Sequence, residues 1–200
     1  METTLDRSSL IVVEFFEYCV NSILYQRGVY PREDFEVERK IGMPLLITNN
    51  DELKVYVDQI MSQVRVWLQK GKLSSLIVVI KSKDTGDILE RWQFNIEPHL
   101  EQQQQTLDND GELTNDTKAQ IRAIMRQISA SVTFLPELDT DDVTFAILVH
   151  TDHDVDVPTA WGDTDPKLIK GGGEHVRLKH METSKHKITP IVAYRVTDDD

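Results

Sequence analysis

Ser9-Leu10-Ile11-Val12-Val13-Glu14-Phe15-Phe16-Glu17-Tyr18-Cys19-Val20-Asn21-Ser22-Ile23-Leu24-Tyr25-Gln26-Arg27 is the stretch on which the fold turns. Val12, Phe15, Phe16, Cys19, Val20, Ile23 and Leu24 recur at helical spacing, with Ser8 or Ser9 as N-cap and Gly28 just past the end. Only Glu14, Glu17 and Asn21 form a polar stripe. A helix apolar around most of its circumference is buried on several sides, so it is expected at the centre of the domain.

The later segments are more one-sided. Asn49-Asn50-Asp51-Glu52 reads as a capping box with Asn49 at the N-cap. It opens a helix with Leu53, Tyr56, Ile60, Val64, Trp67 and Leu68 on one stripe, ending at Gly71. Leu76 to Lys81 and the return segment with Trp92, Phe94 and Ile96 predict a hairpin turned by Lys83-Asp84-Thr85-Gly86-Asp87. Residues 98 to 116, with Gln102 to Gln105, read as a solvated loop.

Ile121, Ile124, Met125, Ile128 and Val132 predict a third helix from near Thr117, limited by Pro136. Val143 to His150 is apolar on both faces, which predicts a strand well inside a sheet. His175 to Met181 and Pro190 to Val196 read as two further strand-like segments. Helices and hairpin-linked strands without βαβ alternation give an α+β domain, three helices on a mostly antiparallel sheet.

Composition narrows the function. The 200 residues carry 34 acids against 22 Lys and Arg, a net charge of −12. That balance argues against a nucleic-acid groove, which needs a concentrated basic patch, and against a polybasic membrane anchor. A lone cysteine, Cys19, precludes an internal disulfide and suits a reducing compartment. No signal peptide and no long uncharged apolar run is present, so a soluble intracellular protein is expected.

The catalytic candidates are poor. Asp152, Asp154 and Asp156 have the spacing that starts a calcium loop, but Val157 and Asp163 stand where that loop needs Gly and Glu. His150, Asp152 and His153 could seed a transition-metal site of a small hydrolase, yet no second ligand pair stands at a known spacing, and exposed loop histidines are the simpler reading. Gly171-Gly172-Gly173 follows Lys170, the wrong order for a phosphate loop, and reads as a flexible joint. Cys19 lies in an apolar stripe, as an inert core thiol does. Neither a metal nor a cofactor is called for, and binding becomes the leading class.

The charge map points to a mobile C-terminus. Glu137, Asp139, Asp141, Asp142, Asp152, Asp154, Asp156, Asp163 and Asp165 precede Pro166 without a base among them, while Lys167 to Arg195 is basic. A segment held partly by charge, joined through a glycine triplet, suits a flap whose removal leaves a sheet edge open to a partner peptide.

Several blocks resemble the HORMA-domain family, in its mitotic-arrest-deficient-two type of spindle-checkpoint domain. They are Val13-Glu14-Phe15-Phe16-Glu17-Tyr18, Asn21 to Pro31, Leu89-Glu90-Arg91-Trp92-Gln93-Phe94, Ile121-Arg122, Met125-Arg126-Gln127-Ile128 and Ser131 to Pro136. Thr151-Asp152, Val157-Pro158, Trp161, Val176-Arg177-Leu178, His186-Lys187 and Val192-Ala193-Tyr194 continue the match.

The resemblance implies one HORMA domain over 1–200, with a core at 9–150 and a C-terminal safety belt at 151–200. The belt is expected to adopt an open and a closed arrangement, the closed one wrapping an extended peptide paired with the edge of the Val143–His150 strand. Phe145, Ile147 and Val149 would line that edge; Trp161, His186 and Tyr194 would belong to the belt; Arg126, Gln127 and Phe134 would form the surface for open–closed dimers. The implied partners are a kinetochore coiled-coil receptor, the activator of the anaphase-promoting complex, and a remodelling AAA+ ATPase with its adaptor. The implied locations are nucleus, kinetochore, nuclear envelope and cytoplasm. A HORMA adaptor of a translesion DNA polymerase or of the meiotic axis is the nearest alternative. Leu5 stands as the only apolar anchor of a short N-terminal segment, and Pro190 and Met181 replace more usual belt residues, Pro190 where a phosphorylatable serine can occur.

Overall fold

A computed structural model describes residues 4–99 and 106–196, with side chains from residue 7 onward. Helix α1 (Thr4–Gln26) begins earlier than its apolar run, so Ser8 and Ser9 lie inside the helix and cap nothing. Val12, Phe16, Cys19, Val20, Ile23 and Leu24 are fully enclosed. By length and composition Arg7–Gln26 could cross a membrane, but 67% of that window is buried within the protein, as befits a central core helix. Gly28 ends it at φ 66°, with Gly28 N–H donating to Tyr25 O and Val29 N–H to Leu24 O, the paired bonds of a left-handed helix stop.

Strands β1 (Phe35–Lys40) and β2 (Met43–Thr48) form a separate antiparallel hairpin. Helix α2 (Asp51–Gln69) is capped by Asn50, whose side chain accepts from Leu53 N–H, one residue later than the sequence suggests. The buried stripe is Leu53, Val57, Ile60, Met61, Val64, Trp67 and Leu68; Tyr56 falls outside it, 40% exposed. Strands β3 (Leu73–Ser82) and β4 (Ile88–Pro98) make the expected hairpin.

The Gln102–Gln105 run lies outside the described residues. Helix α3 (Asn115–Ala130) starts from a Thr114 cap, and Val132 drops off its stripe into a short 3-10 turn where it is 45% exposed. Strand β5 (Val143–Thr151) follows, then β6 (Glu174–Arg177), β7 (Met181–Glu182) and β8 (His186–Tyr194).

The main sheet runs β5-β3-β4-β8-β6, with β7 also on β8, and every pairing is antiparallel. One face carries Leu76, Val78, Ile80, Trp92, Phe94, Ile188 and Val192 against the helices. The other carries a smaller cluster of Ile77, Val79, Ile88, Leu148 and Ala193, covered by Ile169 from the belt. Strand β5 is therefore at the edge of the sheet, contrary to its two-sided apolar pattern. Both of its faces are covered, but along one of its two backbone edges no strand lies among the described residues.

Pro190 sits in the middle of β8, opposite Phe94, and does not start a strand. Its carbonyl accepts from Leu178 N–H on the outer side, so the missing proline N–H also falls on that side, between β6 and β7. The ladder to β4 loses no donor.

A buried ion pair ties α1 to the sheet. Arg27 Nε donates to Glu90 Oε1 at 2.7 Å, and Trp92 Nε1 donates to the other carboxylate oxygen at 3.1 Å. Both charged side chains are almost wholly enclosed. Burial pushes the Glu90 carboxyl up from its ordinary range, and the Arg27 guanidinium opposes that rise. Removing one member of such a pair leaves a buried group uncompensated, so Arg27→Met is expected to lose roughly 3–5 kcal/mol in denaturant unfolding. The double variant Arg27→Met/Glu90→Gln should recover much of it; a single-variant loss within experimental scatter would contradict the buried pairing.

Candidate functional site: a free strand edge under a belt

The direction of β5's edge groups follows from its ends. Lys83 N–H donates to Asp142 O at 2.6 Å, and Asp152 N–H donates to Lys72 O at 3.0 Å. Even-numbered residues from 142 to 152 thus turn their backbone groups toward β3. The N–H and C=O groups of Val143, Phe145, Ile147, Val149 and Thr151 face the open side, where, among the described residues, no strand pairs with them. Unpaired edge groups of this kind template an added strand.

Phe145, Ile147 and Val149 turn their side chains to the helix side, packed on the main core. Alongside the C-terminal half of the edge lies a cavity of about 510 Å³ between strand and belt, lined by Trp67, Ile147, Val149, Thr151, Val157 and Trp161 among others.

The first part of the belt, residues 152–173, is fastened at several points. The Trp161 ring meets Trp67 edge-on at 5.0 Å and 74°, and Trp67 Nε1 donates to Asp156 O at 3.3 Å. Lys72 Nζ bridges Asp152 at 3.1 Å and Asp154 at 3.0 Å. These bonds hold the Lys72 ammonium charged and lower the Asp154 carboxyl. Farther along, Arg91 Nε donates to Pro166 O at 3.1 Å and Ile169 packs on the sheet's outer face.

The glycine triplet is a shaped turn more than a loose joint. All three glycines have positive φ, and a Cβ on Gly173 would lie 2.3 Å from Tyr194 O.

The C-terminal hairpin is held by α1 and α3. Ser8 Oγ lies 2.8 Å from Thr183 Oγ1 and 3.0 Å from His186 Nδ1, a buried cluster joining α1 to the β7–β8 turn. Gln120 Oε1 accepts from Glu182 N–H, and Gln127 Oε1 from Lys179 N–H, each at 2.7 Å. Gln127 is thus engaged with the belt as well as lying beside exposed Arg126. Phe134, 41% exposed, faces Tyr194 with ring centres 6.4 Å apart, and the Tyr194 hydroxyl donates to Glu174 at 2.7 Å. Leu5 lies outside the described side chains.

Among the described residues no group of three or more His, Cys, Asp or Glu is placed to hold a metal ion. His150, Asp152 and His153 do not converge, and Asp152 is engaged by Lys72. Cys19 is buried and burial pushes its thiol well up, which keeps it protonated.

Sequence reasoning missed Trp67, Lys72 and Ser8 as belt contacts. Trp67 reads as core from its helical phase, and nothing local marks Lys72 or Ser8 as reaching residues far along the chain.

The HORMA domain family matches residues 8–186. The chain is 47% identical over 195 residues to the "Mitotic spindle checkpoint component mad2" of Schizosaccharomyces pombe, covering 96% of this chain and 94% of that protein. It is 40% identical over 200 residues to the human "Mitotic spindle assembly checkpoint protein MAD2A", covering 98% and 95%. A chain of the crystal structure of the mitotic checkpoint complex superposes with a TM-score of 0.81 at 45% identity, covering 94% of this chain and 99% of that one. The C. elegans HTP-2 structure bound to the HIM-3 closure motif has a TM-score of 0.73 at 15% identity, covering 96% and 92%, and shares the fold. The chain belongs to the HORMA-domain family, as one of its mitotic-arrest-deficient-two-type spindle-checkpoint proteins.

Burial lowers the His186 imidazole below its ordinary 6.5, with Lys185 adding to the shift. A group depressed on docking favours the docked state above its unfolded value and opposes it as pH falls below that value. Amide protection across residues 183–189 should therefore drop between pH 7.5 and 5.5, and the drop should be much smaller in His186→Gln. Equal pH dependence in both proteins would contradict it.

Proposed function

We propose that this protein is a non-catalytic spindle-checkpoint adaptor that clamps an extended peptide between β5 and the belt. The observation that carries this reading is the β5 edge, unpaired among the described residues, beside a cavity that Asp152, His153, Val155, Val157 and Trp161 border from the belt side. A peptide laid there adds a strand, so backbone bonds supply affinity and the belt slows release. The placing of β8 on β4 with β5 unpaired among the described residues supports reading this arrangement as the closed member of the open–closed pair expected from the resemblance. Two packings of one sequence interconvert usefully when they differ by only a few kcal/mol.

The relatives named as spindle-checkpoint components support taking the peptides from a kinetochore coiled-coil receptor and from the activator of the anaphase-promoting complex. Holding that activator delays anaphase, and a AAA+ ATPase with its adaptor reopens the clamp. The protein would act in the nucleus, at kinetochores and the nuclear envelope, and in the cytoplasm. A translesion or meiotic-axis adaptor is the weaker reading: the "Mitotic spindle assembly checkpoint protein MAD2B" of Rattus norvegicus matches at 30% over 158 residues.

A peptide spanning the activator's binding motif should bind with one-to-one stoichiometry and protect residues 151–196 from proteolysis. If saturating peptide leaves the belt as cleavable as before, the clamp reading fails. Arg126→Glu should shift the protein toward monomer in light scattering while leaving peptide affinity within about twofold, because rim charges act locally. An unchanged mass distribution would remove Arg126 from the dimer surface.

A further inference from the structure

The outer face of the sheet, toward the end away from the β5 edge, holds a second cavity of about 410 Å³. Its floor is built by strand register. Arg91 on β4 stands opposite Ala193 on β8, and Gln93 stands opposite Ile191, so these four side chains share one face. Leu168 and Ile169 of the belt form the roof. No residue lines both this cavity and the one beside β5.

The lining is one fixed cation among mostly apolar side chains. Arg91 is half-buried, and among the described residues no carboxylate pairs with it. Its Nε donates to Pro166 O at 3.1 Å and its Nη1 donates to Gln93 Oε1, which leaves Nη2 without a partner among the described residues. Gln93 Nε2 in turn donates to Asn95 Oδ1 at 2.6 Å, so the guanidinium is held along the strand before any ligand arrives. Burial alone lowers the Arg91 group from its ordinary value, with no neighbouring acid opposing it. His175, the other titratable side chain of the lining, is turned to Gly172 O at 3.0 Å.

A half-buried cation without a counter-ion favours a ligand that brings one. One fixed positive charge matches one negative charge. A phosphate, with close to two at neutral pH, would keep an unanswered charge under an apolar roof. The volume falls within the ~300–1,000 Å³ of small-ligand sites and, at about 30 Å³ per heavy atom, holds on the order of a dozen atoms. We propose that this cavity binds a small amphipathic monocarboxylate, its carboxylate on Arg91 and its apolar body between Ile191, Ala193 and the Leu168–Ile169 roof. The site does not depend on the peptide clamp. Pro166, Leu168 and Ile169 belong to the belt and Arg91 to the sheet, so an occupant ties the two together and resists lifting of this stretch of belt.

Octanoate is the probe, followed on the full chain by residue-resolved amide shifts and exchange, beside octanol, octylamine and acetate. Octanoate should saturate one site and shift the amides of Gln93, Gly172 and Ile191. Octanol and acetate each lack one half of the ligand and should bind roughly tenfold more weakly or worse; octylamine should not bind. At ten times its Kd, octanoate should slow exchange of the Gly172 amide, which donates to Ile169 O at 2.9 Å, roughly tenfold by mass action. Arg91→Gln should weaken octanoate roughly tenfold while leaving octanol within about twofold. Leu168→Glu alters a side chain that is 66% exposed, keeps the fold, and should weaken octanoate by setting a like charge at the roof. No shift at about 10 mM octanoate, equal binding of octanol, or unchanged octanoate affinity in either variant overturns the site, as do shifts confined to the groove beside β5. Unslowed Gly172 exchange with octanoate bound overturns the tie to the belt.

Discussion

The ladder between β4 and β8, from Glu90 opposite Tyr194 to Pro98 opposite His186, decides what this molecule presents to a partner. A five-strand path has two edges, and the C-terminal strand closes only the side on which it lies. Docking on β4 leaves the β5 edge unpaired, and an unpaired edge covered on both faces is chemically specific: it offers backbone donors and acceptors to another chain and little else. The Ser8–Thr183–His186 cluster, Gln120 and Gln127 all exist to hold β7 and β8 in that place, so their contribution to function passes through this ladder.

The same contacts connect surfaces that the sequence keeps apart. Gln127 accepts from the belt's backbone while sitting next to Arg126, and Phe134 faces Tyr194 at the end of β8. A surface for recognising another copy built from these residues would sense where the C-terminal strand lies without touching the peptide groove. This is a physical route by which packing of one segment is read at a distance.

Much of this was legible in the residues, and the failures have particular causes. The seven apolar positions of α1 and the Trp92–Phe94–Ile96 alternation each report a period that burial enforces, and both elements form, although α1 begins at Thr4, ahead of the Ser8 or Ser9 cap that the apolar run suggests. The β1–β2 hairpin was missed because its two-residue turn places Ile41 at φ 46° beside Gly42 at 74°, and a β-branched residue in left-handed backbone is no turn signal. Strand β5 looked internal because composition reports covered faces and is blind to which backbone edge has a partner. Tyr56 looked like core since periodicity counts direction and not depth. The belt's fastenings were invisible for a simpler reason: Lys72 with Asp154 and Trp67 with Trp161 are pairs of long sequence separation with no local trace.

Between Thr151 and Glu174 the belt leaves one edge of the sheet and returns at the other, while hydrogen-bonded strands close the path between those two points. Topologically the protein is a ring. A chain passing through it is interlocked in the manner of a rotaxane, and its escape depends on its own ends. A short ligand with a free terminus would leave by sliding; one flanked by folded domains on both sides would leave only when one of the ladders that close the ring parts. Residence time is then a property of what the ligand is attached to, and two partners with identical binding segments can differ widely in lifetime.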